Sequence, residues 1–270
     1  MPDSRIAECF EELIRVMAQL REEDGCPWDR EQTHESLKPY LIEEAYEAIE
    51  ALDGGDDEAF KEELGDVLLQ VVFHARIAEE RGGFDIADVV TAHVAKLKRR
   101  HPHVFGGVSV EGMEEIWANW ERIKKEEDQT RTSVLSGVPK SLPALLKARR
   151  VQEKASLVGF DWEQADEVWK KVAEELSELK EACATHKQDA IREEMGDLLF
   201  SLVNYARFLD VDPEDALQRT VDKFTRRFRA IEEELAQSGR TPADASFEEM
   251  DALWEEGKKG DRKGKMQSEK

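Results

Sequence analysis

The 270-residue sequence has few of the residues that build fibrous, disulfide-rich or membrane-spanning proteins. It contains 16 glycines, 8 prolines and three cysteines, Cys9, Cys26 and Cys183, which form no CxxC motif. No apolar run approaches the roughly 18 residues of a membrane-spanning helix, and the N-terminal segment is acidic, unlike a signal peptide. These absences exclude collagen-like proteins, disulfide frameworks and zinc knuckles. They predict a cytoplasmic protein with reduced thiols and no membrane partner.

Positive charge is also scarce. The chain has 39 Lys and Arg residues against 61 Asp and Glu residues, which gives a net charge of −22. Such a surface repels polyanions, so we expect no nucleic-acid partner. An anionic ligand would have to bind at a local basic patch or through cations.

Apolar residues recur at spacings of three and four along the chain, and no stretch alternates long enough to form a strand. The pattern predicts an all-α fold, with helices at about residues 5–20, 34–52, 85–100, 111–127, 141–156, 163–184 and 213–236 and apolar helical stripes over residues 64–75 and 198–206. The polar segment 128–140 is typical of a linker, and residues 258–270 are predicted to be a disordered tail.

The chain contains an internal repeat. Residues 43–76 align with residues 174–207 without a gap, and 14 of the 34 positions are identical. The similarity continues between residues 94–101 and 221–228 and between residues 114–125 and 248–259. The economical explanation is a tandem pair of similar domains, one over residues 1–127 and one over residues 141–257.

Each half carries an EExxE motif followed by ExxD. Residues three apart on a helix share a face, so each motif forms a pair of neighbouring carboxylates. If the two helices form an antiparallel hairpin, both pairs in the first half are centred on Gly55, and both pairs in the second half are centred on His186. Each hairpin is therefore predicted to bring four carboxylates to one level: Glu44, Glu47, Glu63 and Asp66 in the first, and Glu175, Glu178, Glu194 and Asp197 in the second.

Acidic residues in so acidic a chain are ordinarily solvated helix faces, but the duplicated register favours a metal site. Inward-facing carboxylates about 5 Å apart would repel by roughly 3 kcal/mol per pair at an effective dielectric constant of about 20. Oxygen ligands without His or Cys favour Mg²⁺, with Mn²⁺ as the alternative, over zinc.

Basic and aromatic residues also repeat. The pairs Lys96 with Arg100 and Lys223 with Arg227 could clamp phosphates, or they could complement the dipole at a helix end. The second explanation is weaker in the second half, where the helical pattern continues past the cluster. Trp120 and Trp254 follow matching EE pairs and are candidates for base stacking, although a helical tryptophan more often belongs to a core.

Together these motifs resemble the MazG family of nucleoside triphosphate pyrophosphohydrolases, within the all-α NTP pyrophosphatase superfamily. The residues that carry the resemblance are GCPWDREQTHESLKPYLIEEAYE, EELGDVLLQVVFHARIAEE, RRHPHVF, SLPAL with VGFDW, and EEMGDLLF. The family resemblance implies tandem domains whose hairpins pair into a four-helix bundle, a homodimer, and Mg²⁺-dependent cleavage of NTPs to NMP and pyrophosphate. Deoxynucleotides and non-canonical NTPs are included among the expected substrates.

Carried over by position, the resemblance makes Glu175, Glu178, Glu194 and Asp197 catalytic metal ligands, with Lys223, Arg227 and Trp254 binding phosphates and base. The matching set in the first half is Glu44, Glu47, Glu63 and Asp66, with Lys96, Arg100 and Trp120. One position departs from the family pattern: a lysine is expected four residues before Glu194, where this chain has Ala190. Lys187 and Arg192 are the candidate substitutes.

Both acidic sets are complete, so the motifs alone leave open which half is catalytic. We expect the main site in the second half, because the helix that carries Lys96 and Arg100 is predicted to end at Pro102. A pyrophosphohydrolase restricted to one base is the alternative enzyme. The alternative outside enzymes is a non-catalytic metal-sensing or partner-binding helical regulator that retains the bundle.

Overall fold

The computed structural model describes the backbone of residues 4–110, 112–127 and 133–268, and the side chains there except those of residues 114, 117, 118, 121, 125, 126 and 259–268. Every regular element in these ranges is helical, which confirms the predicted all-α class. The chain divides into two compact units, residues 1–127 and 128–270. Residues 128–132 of the expected linker lie outside the described ranges, and residues 133–140 contain turns.

The first unit is organised around a helical hairpin. Its described helices are α1 (Ser4–Leu20), α2 (Pro27–Glu31), α3 (Lys38–Gly54), α4 (Asp57–Glu80), α5 (Ile86–Arg100), α6 (Pro102–Phe105) and α7 (Met113–Glu127). α3 packs against α4, and α1 and α5 also contact α4. Met17, Leu37, Val72, Phe73 and Ile77 form the buried core of this unit.

The second unit repeats the hairpin. Its described elements are α8 (Ala144–Ser156), α9 (Ala165–Thr185), α10 (Gln188–Phe208), α11 (Pro213–Gln237), a 3₁₀ turn (Pro242–Asp244) and α12 (Phe247–Ser268). α9 and α10 pack together, α8 lies on α10, and α11 contacts α8 and α12. Val168 and Val203 are buried in this unit. The residues 131 positions earlier, Leu37 and Val72, are likewise buried in the first unit.

Several helix boundaries differ from those the sequence predicts. α3 begins at Lys38 rather than at residue 34, and Pro39 lies in its first turn, where the backbone N–H that proline lacks would have no partner within the helix. α8 begins only after Pro143, which is its N-cap residue. The short helices α2 and α6, of five and four residues, show too little periodicity to be predicted. α12 continues to Ser268, across the segment predicted to be a disordered tail.

Cys9, Cys26 and Cys183 are all free thiols. In the described part of the chain, no helix combines the length and the apolar character that a membrane crossing requires.

Candidate metal and nucleotide site

The hairpin of the first unit brings three of its four predicted carboxylates together. Glu44 on α3 and Glu63 and Asp66 on α4 each place a carboxylate oxygen within 4.8 Å of the others. Glu44 and Glu63 are half-buried and Asp66 is exposed. Glu47 lies outside this three-residue group, but its charge contributes to the raised pKa values of Glu44 and Glu63.

The hairpin of the second unit repeats the arrangement at the positions 131 residues later. Glu175 on α9 and Glu194 and Asp197 on α10 have carboxylate oxygens within 4.8 Å of one another. Glu175 is only 5% exposed, so this group is more deeply buried than its counterpart. Glu178 lies outside the group of three, and its pKa is raised first by burial and then by the charge of Glu175.

Burial and mutual repulsion define the electrostatics of both groups. In the first unit, burial raises the pKa of Glu44 and the neighbouring charge of Asp66 raises it further. In the second unit, the pKa of Glu194 is raised by burial and then by Asp197. A carboxylate whose charged form is disfavoured in this way gains most from a nearby cation. Both groups are therefore suited to a divalent metal ion.

One charged residue of the second group was missed by the sequence reasoning. Lys171, one helical turn before Glu175 on α9, places its Nζ 2.7 Å from Glu175 Oε1 and 2.8 Å from Glu174 Oε1. Its hydrogen bonds to Glu174 and then Glu175 raise the pKa of the lysine. The i to i+4 spacing of Lys171 and Glu175 was visible in the sequence and could have indicated this ion pair.

The predicted phosphate and base residues of the second unit lie on α11 and α12. The Arg227 guanidinium carbon lies 5.3 Å from the centroid of the Trp254 ring, which Phe224 also contacts at 5.1 Å. Arg227 and Trp254 are half-buried, and Lys223 is exposed one turn earlier on α11. The structure thus joins two of the three predicted residues in one cation–π contact.

The corresponding residues of the first unit are arranged differently. Arg100 donates to Glu127 of α7, with Nη2 2.5 Å from Oε2, and Arg99 donates to the same carboxylate. These hydrogen bonds, that of Arg100 first, lower the pKa of Glu127 to about 2. Lys96 is exposed. Trp120 is half-buried, with the Lys124 ammonium 4.2 Å from its ring centroid.

Arg99 and Glu127 also help to line a cleft of about 600 Å³ between α5, α6 and α7. No carboxylate of the Glu44 group lines it. Arg99 and Arg100 are therefore both engaged by Glu127 of the same unit. The sequence could not show this contact, because Arg100 and Glu127 are 27 positions apart.

Ala190, where this sequence departs from the family pattern, lies at the start of α10. Ala190 is half-buried in the first turn of this helix. Of the two candidate substitutes, Arg192 forms an exposed ion pair with Asp189 at 3.1 Å, and Lys187 is the exposed N-cap residue.

The sequence comparisons agree with the repeat. Residues 32–105 and residues 164–234 each match the MazG nucleotide pyrophosphohydrolase domain. The chain belongs to the MazG family. Both matched segments contain a complete acidic set, and they exclude Trp120 and Trp254. The family is one of hydrolases acting on acid anhydrides, so the chain is an enzyme of that class.

Two similar proteins match this chain over nearly their whole length, and a third matches it over about half of its own length. The chain is 52% identical over 256 residues to the nucleoside triphosphate pyrophosphohydrolase/pyrophosphatase MazG of Thermotoga maritima, covering 93% of this chain and 96% of the relative. It is 43% identical over 255 residues to the nucleoside triphosphate pyrophosphohydrolase of Escherichia coli K12, covering 93% and 97%. It is also 50% identical to the uncharacterized protein YabN of Bacillus subtilis, covering 94% of this chain and 52% of YabN.

Proposed function

We propose that this MazG chain acts in the cytosol as a Mg²⁺-dependent nucleoside triphosphate pyrophosphohydrolase. Water adds across the anhydride bond between the α and β phosphates, which gives NMP and pyrophosphate. Ribonucleotides, deoxyribonucleotides and non-canonical NTPs are the proposed substrates. The observation that carries the proposal is the pair of oxygen-only carboxylate groups, held at matching positions of two hairpins. The two relatives named nucleoside triphosphate pyrophosphohydrolases support the substrate class.

The carboxylate groups fit a magnesium ion in their donor chemistry and spacing. An octahedral Mg²⁺ with bonds of about 2.1 Å holds neighbouring ligand oxygens about 3 Å apart and opposite ones about 4.2 Å apart. One carboxylate oxygen from each residue of a group lies within 4.8 Å of the others, which is close to this range. Glu178 and Glu47, one turn from Glu175 and Glu44, are the proposed fourth ligands. Mn²⁺ accepts the same ligands.

The chain's own residues position and neutralise the substrate. When bound, Mg²⁺ would polarise the triphosphate and lower the pKa of the attacking water. Lys223 and Arg227 are proposed to bind the phosphates, and the ring of Trp254 to stack on the base. Arg227 already lies over that ring, so the two groups are held together before a nucleotide arrives. Positioning of this kind removes orientational freedom that a reaction in water would have to lose.

We place the main active site in the second unit. Its group is more buried, with Glu175 only 5% exposed, and a buried group strengthens electrostatic interactions with substrate. In the first unit Arg100 is occupied by Glu127, and a phosphate would have to displace that carboxylate.

The proposed assembly is a homodimer in which hairpins of two copies pair into four-helix bundles. α4 and α10 expose apolar side chains at equivalent positions, with fractional exposures of 39–48%. These are Leu64, Leu68 and Val71 on α4 and Met195, Leu199 and Leu202 on α10. An apolar helix stripe that stays exposed is typical of an association surface.

The proposed reaction is tested by incubating the chain with a panel of NTPs and dNTPs in Mg²⁺, in Mn²⁺ and in excess EDTA. Chromatography would quantify the nucleotide product, and a coupled assay the pyrophosphate. We expect NMP and pyrophosphate in equal amounts with either metal and no turnover in EDTA. The Glu44→Gln/Glu175→Gln double variant is the control for a contaminating hydrolase. NDP and phosphate as products would contradict the proposal, and turnover of one base only would indicate a specialised enzyme.

A further inference from the structure

The two carboxylate groups differ in one charged neighbour. Lys171 Nζ lies 2.7 Å from an oxygen of Glu175 in the second unit. The residue 131 positions earlier is Tyr40, whose ring makes an edge-on contact with Trp28 at 5.9 Å between centroids. In the first unit the lysines nearest to the group along the chain pair with other carboxylates, Lys38 with Glu35 and Lys61 with Glu58. Among the described ion pairs, a cation of the chain therefore contacts the second group and none contacts the first.

The position of this cation sets it in competition with a metal ion. The ammonium contacts an oxygen of Glu175, a residue that is itself 5% exposed and that belongs to the group of three. A divalent ion that binds Glu175 must either displace the ammonium or tolerate it within a few ångströms. Two cations at that separation repel, and the repulsion is stronger in a buried site than in water. Free metal should therefore bind the second group less tightly than the first.

A nucleotide changes this balance. Lys171 also contacts Glu174, whose side chain is 57% exposed, so the ammonium has an anionic partner that it can keep when it leaves Glu175. A triphosphate adds several negative charges to the site, and these charges offset the repulsion between the ammonium and the metal. The first group, without an internal cation, needs no such compensation.

We propose that Lys171 is a positioning residue that makes metal binding in the second unit depend on bound nucleotide, while the first unit binds the free ion directly. The inference rests on the proposed function, because it concerns the metal of that reaction. The acidic motifs of the two halves are the same, so the difference in metal binding is attributed to Lys171 in the second unit and Tyr40 at the matching position of the first.

The test measures Mn²⁺ binding to the full chain by electron paramagnetic resonance, which detects the free hydrated ion. Two double variants isolate the carboxylate groups. Glu44→Gln/Glu63→Gln disables the first group and is called the first-silenced background. Glu175→Gln/Glu194→Gln disables the second group and is called the second-silenced background. Each is titrated alone and with a non-hydrolysable α,β-methylene triphosphate. In the first-silenced background we expect the analogue to tighten Mn²⁺ binding by about tenfold or more. In the second-silenced background the analogue should tighten Mn²⁺ binding much less.

Three variants decide whether Lys171 is the cause. In the first-silenced background, Lys171→Met should tighten free Mn²⁺ binding by about tenfold and remove most of the effect of the analogue, whereas Lys171→Arg should preserve wild-type behaviour. Lys170→Met is the matched control, because Lys170 is exposed on the same helix and its replacement removes the same charge. Tyr40→Lys in the second-silenced background should weaken free Mn²⁺ binding to the first group.

The outcomes separate this inference from the proposed function. The role of Lys171 would be overturned if Lys171→Met and Lys170→Met had equal effects on Mn²⁺ binding. It would also be overturned if neither Lys171→Met nor Tyr40→Lys changed Mn²⁺ binding. Both results would leave the metal-dependent reaction standing. Failure of both groups to bind Mn²⁺, with and without the analogue, would overturn both proposals. Circular dichroism of each variant would test whether it keeps its helices.

Discussion

Gly55 and His186, which lie 131 positions apart, hold the same left-handed backbone conformation at the turns of the two hairpins. Their φ angles are 70° and 54°. Each donates its backbone N–H to the carbonyl three residues earlier, Leu52 at 3.2 Å and Cys183 at 3.3 Å. Glycine reaches this conformation without steric cost, whereas a residue with a side chain is disfavoured there by about 1–2 kcal/mol. The second hairpin therefore turns through a strained residue where the first turns through a relaxed one.

Gly55→Ala should lower the free energy of unfolding of the first unit by about 1 kcal/mol. No atom lies within 4 Å of the position of the new Cβ, so the cost comes from the backbone conformation alone. His186→Gly should raise the free energy of unfolding of the second unit by about 0.5 kcal/mol, because relief of strain exceeds the added chain entropy. Urea unfolding followed by circular dichroism measures both changes.

Gly54→Ala is the matched control for this pair of variants. Gly54 is the last residue of α3, its surroundings are equally open, and its φ is not positive. Alanine should therefore be neutral or stabilising at this position. Equal destabilisation by Gly54→Ala and Gly55→Ala would show that the left-handed turn is not the cause.

His34 and His74 connect the segment before α3 to α4 and give the first unit a pH dependence. Their Nδ1 atoms lie 2.8 Å apart, and Nε2 of His74 is buried without a hydrogen-bond partner. Burial, and then the charge of His34, lowers the pKa of His74 from its ordinary value of 6.5. The unfolded chain thus binds a proton that the folded chain resists. Stability that is present above pH 6.5 should decline as the pH falls below 6.5.

The pH prediction is measured as the difference in unfolding free energy between wild type and His74→Phe, from pH 8 to pH 5. The free energy of unfolding of wild type should fall relative to that of His74→Phe as the pH drops below 6.5. The subtraction cancels the carboxylates, including Glu44 and Glu63, whose raised pKa values act in the opposite direction. A difference that stays constant with pH would contradict the prediction.

Much of the fold and of the site could be predicted because the information is local or repeated. The three- and four-residue spacing of apolar residues identifies the long helices, and the repeat fixes the register of both hairpins. That register brings together Glu44, Glu63 and Asp66, although they come from two helices. Boundaries were less predictable where a proline delays a helix, as at Pro143 before α8.

Contacts between distant segments could not be predicted. Glu127 binds Arg99 and Arg100 from another helix, and no periodicity in the sequence relates these positions. Spacing alone also places Glu47 and Glu178 at the level of the other carboxylates. It cannot show that their side chains stay outside the groups of three, because rotamers depend on the packed neighbours.

If the proposed homodimer forms, a charge on the exposed apolar stripe should disrupt it. Light scattering at micromolar concentration should give about twice the 30.9 kDa chain mass for wild type. Leu199→Glu, or Leu68→Glu in the other hairpin, should shift the mass toward one chain, because a buried unpaired carboxylate is costly. Ile6→Glu, at an exposed position of α1, is the control and should leave the mass unchanged. A wild-type mass of one chain would favour pairing of the hairpins within the chain.

The basic residues of the second unit should affect nucleotide binding rather than metal binding. Lys223→Ala and Arg227→Ala should each weaken binding of the α,β-methylene triphosphate by about tenfold, since each removes a charge-assisted contact. Arg227→Ala should also disturb Trp254, which it covers. Mn²⁺ affinity without nucleotide should stay close to wild type. Unchanged nucleotide affinity and turnover in both variants would show that Lys223 and Arg227 are only surface charges of the helix and do not bind nucleotide.

Glu175→Gln and Glu44→Gln decide which unit is catalytic. Each removes one carboxylate charge from a group of three while nearly preserving the shape of the side chain. If Glu175 holds the catalytic metal, its replacement should lower turnover by at least about a hundredfold, or roughly 2.7 kcal/mol of transition-state stabilisation. Glu44→Gln should lower turnover much less, because Arg100, the predicted phosphate-binding arginine of the first unit, is occupied by Glu127. Steady-state rates of pyrophosphate release at saturating NTP and Mg²⁺ measure both. Loss of activity in Glu44→Gln alone would reverse the assignment, and equal partial losses would show that both units turn over substrate.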